Sequence, residues 1–562
     1  MTNLLGARAC AIAAFAAIVS AGTAATTATT AGPSAARPRQ TPATPAVAQS
    51  NGDPQVDHAE LRMFGQDMAH EHAQARSEGA NGATFAPAVA TAAATPDVVG
   101  QWSAPKQNGT PVIGVHTTLL TTGKVLMFSQ LSYTLPDGRT TGRTMAAVWD
   151  PATQTARRVD PSSTDNLFCG GATVLADGTV LVVGGVDILN GGSSGIPVVY
   201  LFNPQTESWS QAPSMSKGRW YPTVIETMNG GAVIVGGRDV LKKANWDVET
   251  FGPSLTAAPQ LVGTYNLDYQ QGLYPNGFLL PDGSIFWFAG DRSDFMDTVN
   301  WRIDAGPVPN VVHMDYPNAM LLPLKPGGDF EIAVYGGKNK HHGITTAVAE
   351  RINLSDPQPS FRLTAPMPAA RTNMNSVVLP DGTIAVIGGN GLDKFGQAHL
   401  QTLLYDPTAD TWTPMASQTL RRAYHSTAIL LPDGRVLSAG DNGSSVPGGG
   451  GTQLEIYSPP YLFKGARPII ASAPASAARG ARIAVSTTTN IAKLVLIQPG
   501  STTHATDMHQ RTVELETSAR PAGKVGLRGY LPADGTVPPG PYMLFAVDSA
   551  GIPSVATWIQ VT

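Results

Sequence analysis

Beyond about Gln101 the chain sets short apolar runs between turn residues, and the same order of residues returns at a spacing of roughly 50. One unit runs from Val115-His116-Thr117-Thr118-Leu119-Leu120 to Gly123-Lys124-Val125-Leu126, and the next from Phe168-Cys169-Gly170-Gly171 through Asp177-Gly178-Thr179-Val180 to Gly184-Gly185. Others span Trp220-Tyr221-Pro222 to Gly236-Gly237, Leu273-Tyr274-Pro275 to Asp282-Gly283 and Gly290, and Asp315-Tyr316-Pro317 to Gly336-Gly337. The last two span Asn373-Met374-Asn375 to Asp381-Gly382 and Gly388-Gly389, and Ala423-Tyr424-His425 to Asp433-Gly434 and Gly440. Each unit reads as a strand, a hairpin turn whose Asp-Gly or Gly supplies positive φ, a β-branched strand and a Gly pair. Between units recur Trp149-Asp150-Pro151, Phe202-Asn203-Pro204 with Trp209, and Tyr405-Asp406-Pro407 with Trp412, which suit an outer strand.

About seven such units predict a seven-bladed β-propeller over residues 99–466, and a spacing near 50 with a Gly pair is the kelch pattern. After Tyr457-Ser458-Pro459-Pro460-Tyr461 the repeat stops. Residues 467–562 carry alternating strands such as Arg482-Ile483-Ala484-Val485 and Lys493-Leu494-Val495-Leu496-Ile497, with turns at Asp534-Gly535 and Pro538-Pro539-Gly540. They predict a separate immunoglobulin-like β-sandwich. Composition agrees with an all-β chain: 59 glycines, 45 prolines and only 14% charged residues suit short strands and tight turns better than long amphipathic helices.

The opening differs. Residues 1–25 place Arg8 before the apolar run Ala11 to Val19 and a small-residue Ala-Gly-Thr-Ala, which reads as a secretory signal too short to span a bilayer of roughly 20 helical residues. A retained anchor is the alternative. Residues 26–98, dominated by Ala, Thr and Pro, hold too few large apolar groups to order themselves and read as a linker. Its His58, His70 and His72 include a His-x-His pair that either binds metal or is solvated linker. Asn108, Asn353 and Asn442 fall in glycosylation sequons, which matter only in a glycosylating host. A net charge of -4 without a Lys/Arg-rich run excludes nucleic acid as a partner.

Cys10 leaves with the signal, so Cys169 is the sole thiol of the mature chain. An unpaired thiol in an oxidising compartment is deeply buried, joined to another chain or used chemically. Superimposing the units on their turn glycines brings Cys169, Tyr221 and His425 to one repeat position at the start of the inner strand, where residues of all blades ring the central axis. A thiol, a phenol and an imidazole there converge despite their separation in sequence. Each alone has an ordinary reading as packing or a satisfied polar group, and the ring would also suit a sugar-binding mouth.

Four segments carry a more specific resemblance: Phe168-Cys169-Gly170-Gly171, Arg219-Trp220-Tyr221-Pro222-Thr223, Arg422-Ala423-Tyr424-His425-Ser426, and Thr503-His504-Ala505-Thr506-Asp507-Met508-His509-Gln510-Arg511. In this order they resemble the galactose oxidase and glyoxal oxidase family of copper-radical oxidases, closer to the glyoxal oxidase branch, over about residues 100–562. The resemblance implies a thioether between Cys169 and the Tyr221 ring that stores one electron as a tyrosyl radical. It implies one copper ion with Tyr221, His425 and His504 as equatorial ligands and Tyr424 as axial ligand. His504 lies in the last domain, which must then send a hairpin down the propeller channel.

Two imidazoles and phenolate oxygen suit tetragonal Cu(II). Copper moves one electron whereas oxidising an alcohol or hydrated aldehyde takes two, so a second store is needed, and a thioether-substituted phenol supplies it. The resemblance implies that Tyr424 takes the substrate proton, the Tyr221 radical takes a hydrogen from carbon, and O2 leaves as H2O2. Small aldehydes or primary alcohols, glyoxal-like compounds foremost, are the expected substrates of an exported, monomeric oxidase without a transmembrane segment in its mature form. The competing expectation is a non-catalytic kelch propeller that binds glycans or protein at a cell surface. Trp246 is a candidate for the aromatic ring that family members stack on the cross-linked tyrosine, with plain packing as its other reading. No sugar-binding domain is recognisable ahead of the propeller. One geometric demand stands out: successive strand residues face opposite sides, so Tyr424 and His425 reach one metal only at a strand end or twist.

Overall fold

The computed structural model describes residues 94–562 except 136, 189–193, 254–255, 265–272, 314–315, 340–343, 392–397 and 442–449. The expected signal segment, the linker with His58, His70 and His72, and the sequon at Asn442 lie outside the described residues apart from the linker's last few positions. The turn glycines close hairpins as their spacing requires: Gly178, with φ +87°, joins Gly171–Val174 to Val180–Val183. Such a backbone is open to glycine without steric cost.

Among the described residues, seven sheets are antiparallel meanders of four or more strands running outward from an inner strand. The inner strands are His116–Leu119, Gly171–Val174, Trp220–Glu226, Asn276–Leu279, Asn318–Leu321, Thr372–Val378 and Ser426–Leu430. The sheet begun by Ser426–Leu430 takes its outer strand from the start of the repeat region, Gln101–Trp102, through Gln101↔Ser458 and Trp102↔Tyr457. Its inner strand also lies beside His116–Leu119, so the two ends of the array meet. This is the β-propeller expected from the repeat. The Gly pair has a packing reason. A Cβ on Gly184, Gly336 or Gly388 would lie 2.3, 2.4 or 2.2 Å from the carbonyl oxygen of Arg219, Arg371 or Arg422 in the following sheet.

Residues 470–561 form two sheets, one centred on Arg482–Thr487 and Gly526–Tyr530, the other on Lys493–Ile497, Gly540–Val547 and Thr557–Val561. They make the expected sandwich. Its Leu494, Leu496, Leu544 and Ile559 share one apolar cluster with Phe286, Phe288, Ile332 and Val334 of the propeller. Burying side chains of this size contributes about 1.5–3 kcal/mol each, enough to hold the two parts together. The hairpin Ser501–Thr503 and Thr506–Asp507 leaves the sandwich and adds itself to the inner edge of His116–Leu119, pairing His116↔Thr503, Thr117↔Thr502 and Thr118↔Ser501. No helix among the described residues is long and apolar enough to cross a membrane. Asn108 is buried and donates to the Val112 carbonyl at 2.8 Å, so its sequon is closed to modification.

Candidate metal centre

The repeat position singled out from the sequence has a distinctive backbone. Cys169, Tyr221, Tyr274, Tyr316, Asn373 and His425 all carry left-handed φ, between +49° and +66°. Non-glycine residues occupy that region at a steric cost, which persists only where the surroundings over-determine it. Here each such residue precedes or interrupts the inner ladder: Trp220↔Arg238 and Pro222↔Gly236 pair while Tyr221 is skipped, and Thr372↔Asn390 and Met374↔Gly388 pair while Asn373 is skipped. A bulge of this kind re-aims the side chain. Neighbouring sheets are laced at this level, since the Tyr221 amide donates to the Cys169 carbonyl at 2.9 Å, that of Tyr274 to Tyr221 at 2.9 Å and that of Asn373 to Tyr316 at 3.2 Å.

The demand that Tyr424 and His425 both face one point is met by an extra residue. The buried arginines Arg219, Arg371 and Arg422 are equivalent, each donating through Nη1 to a glycine carbonyl of its own sheet at 2.9–3.0 Å. From Arg219 to Tyr221 and from Arg371 to Asn373 is two residues, whereas from Arg422 to His425 is three. The strand starts only at Ser426, so alternation does not apply to Tyr424 and His425. Their rings stack with centroids 3.8 Å apart.

All five residues named from the sequence meet in one buried region. The nearest ligand atoms of Cys169, His425 and His504 lie within 4.8 Å of one another, and Cys169 Sγ is 3.5 Å from His504 Nε2. The Tyr221 and Tyr424 hydroxyls are hydrogen-bonded to each other. The Tyr221 ring stands 4.8 Å, and the His425 ring 4.5 Å, from that of His504, both edge-on. His504 sits at the tip of the inserted hairpin with φ +48°. The Thr503 hydroxyl donates to the Val115 carbonyl at 2.9 Å and therefore accepts from His504 Nδ1 at 2.6 Å, leaving Nε2 with its lone pair toward the cluster.

The donor set fits copper: two imidazoles and two phenols, with a thiol beside them, are nitrogen and oxygen ligands of the kind Cu(II) prefers. Burial pushes the Tyr221 and Tyr424 phenols well above the ordinary tyrosine range, with smaller contributions from Cys169 and neighbouring tyrosines. Without a cation these phenols stay neutral, and a bound dication reverses that preference.

The aromatic partner of Tyr221 differs from expectation. Trp220 stacks on it at 4.1 Å and 23°. Trp246 packs instead against a separate cluster with Val235, Trp287 and Met296. Tyr274 and Tyr316, which the sequence marks only as members of repeat units, belong to the site's wall: Tyr274 lies 4.7 Å from Tyr221 and donates to the Gly170 carbonyl at 2.8 Å, and Tyr316 lies 5.3 Å from Tyr424. His116 was passed over altogether. Its Nε2 accepts from the Cys169 amide at 3.1 Å. The signal for both tyrosines was their repeat position, shared with Cys169.

Comparison with known proteins places the chain. Residues 138–461 match the family model described as "Glyoxal oxidase N-terminus", and residues 467–561 match "Galactose oxidase-like, Early set domain". The chain belongs to the glyoxal oxidase family. This family member is 28% identical over 479 residues to galactose oxidase of Gibberella zeae, covering 79% of the chain and 68% of the relative. It is 29% identical over 461 residues to aldehyde oxidase GLOX of Vitis pseudoreticulata, covering 70% of the chain and 81% of the relative. Among solved structures, a fungal alcohol oxidase of the AA5 family in complex with copper shares the fold, with a TM-score of 0.72 and 24% identity over 83% of this chain and all of the other. The chain is thus related to oxidases, and its propeller-plus-sandwich architecture is that of a known copper-binding neighbour.

Proposed function

We propose that this protein is a copper-radical oxidase of small aldehydes or primary alcohols, glyoxal-like compounds foremost, that uses O2 and releases H2O2. The observation that carries this reading is the meeting of Cys169, Tyr221, Tyr424, His425 and His504, drawn from three sheets and an inserted hairpin, in one buried cluster. Tyr221, Tyr424, His425 and His504 would hold the ion. Copper, when bound, supplies a one-electron redox couple and a place for substrate oxygen.

The chain's own residues supply the rest. Tyr424 Oη receives the substrate hydroxyl proton, a step that general-base catalysis speeds by about 10²–10⁴. The Tyr221 ring, joined to Cys169 Sγ by a thioether, receives the hydrogen atom from carbon as a radical. Trp220 covers one face of that ring and keeps water from it. The Thr503 hydroxyl fixes the His504 tautomer. The seven meander sheets act as the blades of the scaffold, residues 1–25 as an export signal, residues 26–98 as a linker, and the enzyme as a monomer.

The test is a titration of the purified protein with copper, followed by mild oxidation and an absorption spectrum. One copper per chain and a phenoxyl-radical band are expected. Absence of copper binding would leave a glycan- or protein-binding propeller as the function. A peroxide-coupled screen of aldehydes and alcohols then identifies the substrate.

A further inference from the structure

His116 lies where three parts of the molecule join. It begins the inner strand His116–Leu119, it pairs with Thr503 of the inserted hairpin, and its ring reaches the left-handed turn of the neighbouring sheet at Cys169. At Tyr221, Tyr274 and Asn373 the amide of the left-handed residue donates to the carbonyl of the equivalent residue one sheet earlier. Cys169 breaks this pattern, because its amide donates to the imidazole Nε2 of His116. A side chain therefore does for Cys169 what backbone does for those three.

The imidazole is itself held. It stacks on Phe128 at 4.2 Å and 6°, meets Phe168 edge-on at 6.5 Å and stands 5.9 Å from the His504 ring. It is buried, and its Nδ1 finds no hydrogen-bond partner among the described residues. Accepting at Nε2 places the proton on Nδ1, so that an uncompensated buried N–H is tolerated to keep Nε2 an acceptor. The Cys169 carbonyl meanwhile accepts from Tyr221. Both backbone polar groups of the thiol-bearing residue are thus fixed, one to the phenol's residue and one to His116.

We propose that His116 is a positioning residue for the thioether, holding Cys169 in its left-handed conformation so that Sγ meets the Tyr221 ring. This rests on the oxidase reading above. In the step it serves, a C–S bond forms between Cys169 Sγ and the ring carbon next to the Tyr221 hydroxyl-bearing carbon. The S–H and that C–H break, and the two electrons and two protons released reduce O2 to H2O2 with copper present. Removing the acceptor takes away the hydrogen bond that holds the Cys169 amide and lets the turn relax, which separates the reacting atoms.

The experiment compares wild type, His116→Phe and His116→Gln, each prepared copper-free under anaerobic conditions and then given copper and air. Cross-linking is followed by intact mass as the loss of two hydrogens. His116→Phe retains the stacking shape without the acceptor and is expected to cross-link at least about tenfold more slowly, a change worth about 1.4 kcal/mol in the barrier. His116→Gln restores an acceptor and is expected to recover most of the rate. Copper affinity, measured separately on all three, should change less than about threefold, and a role in folding alone would shift thermal midpoints without touching the cross-linking rate. If His116→Phe does not fold, His116→Asn, whose amide stops short of Cys169, is read in its place. A wild-type rate in the acceptor-less variant overturns the assignment and leaves the oxidase reading standing, whereas a wild-type protein that never loses two hydrogens overturns both.

Discussion

Replacing Glu226 by Gln should loosen the hairpin that carries His504. Glu226 ends the strand that bears Tyr221, and its carboxylate accepts from Gln498 Nε2 at 3.0 Å on both oxygens, with His509 Nε2 at 3.5 Å and Arg511 Nε at 4.0 Å. Gln498 and His509 flank the His504 hairpin, so this cluster pins the inserted tip to the strand of Tyr221. The carboxylate side chain is 13% exposed and His509 is buried. At 3.5 Å and an effective dielectric of about 20, the pair attracts with about 4.7 kcal/mol, partly offset by desolvation. Since the glutamine amide still accepts one bond from Gln498, a net loss of about 3 kcal/mol is expected, measured by urea denaturation near pH 5.5.

The pH profile sharpens the test. Burial alone would lower the His509 pKa, but the hydrogen bond and charge of Glu226 outweigh it and raise the value above 6.5. Burial alone would raise that of Glu226, but His509, Arg511 and Gln498 together bring it below 4.5. The His509 contribution is fully present below pH 6.5 and is lost as pH rises through its raised folded value, while that of Glu226 is fully present above pH 4.5 and is lost as pH falls through its lowered folded value. Wild type should therefore show a plateau of stability between about pH 4.5 and 6.5 that Glu226→Gln flattens. A substitution that costs under about 1 kcal/mol and leaves the profile unchanged refutes the reasoning, because a buried pair broken on one side is far more costly than that.

Tyr424→Phe removes the proposed proton acceptor while leaving both imidazoles in place, so turnover in a peroxide-coupled assay should fall by about 10²–10⁴ with copper still bound. His504→Ala deletes an imidazole aimed from the hairpin tip, and copper affinity by competition titration should drop at least about a hundredfold with little change in the fold. Gly184→Ala places a methyl 2.3 Å from the Arg219 carbonyl oxygen at φ +73°, and the protein should lose several kcal/mol of stability or fail to fold, read by thermal melting.

Much of this architecture was legible because a repeat carries its own coordinate system. The turn glycines aligned Cys169, Tyr221 and His425 before any backbone was known, and the shared left-handed conformation of those residues is the physical content of that alignment. The pairing of Tyr424 with His425 meets the condition that strand alternation set, since one residue more than in equivalent units leaves both ahead of the ladder, at the strand end. Trp220 escaped notice as the stacking ring because adjacency in a strand argues for opposite faces, an argument the skipped pairing at Tyr221 cancels. His116 could not be weighed at all: the contact that matters runs from its ring to a backbone amide 53 residues away, and periodicity encodes no side chain that replaces a carbonyl. The attachment of Ser501–Thr503 to His116–Leu119 joins segments nearly 400 residues apart, and only the resemblance in Thr503-His504 pointed to it.

The central claim is most directly tested by peptide mapping of the protein before and after exposure to copper and air. The account predicts that the peptide containing Cys169 becomes joined to the peptide containing Tyr221, with a combined mass short by two hydrogens and no free thiol left at Cys169. Two separate peptides, with the Cys169 thiol still open to alkylation in protein that has bound copper, would contradict it.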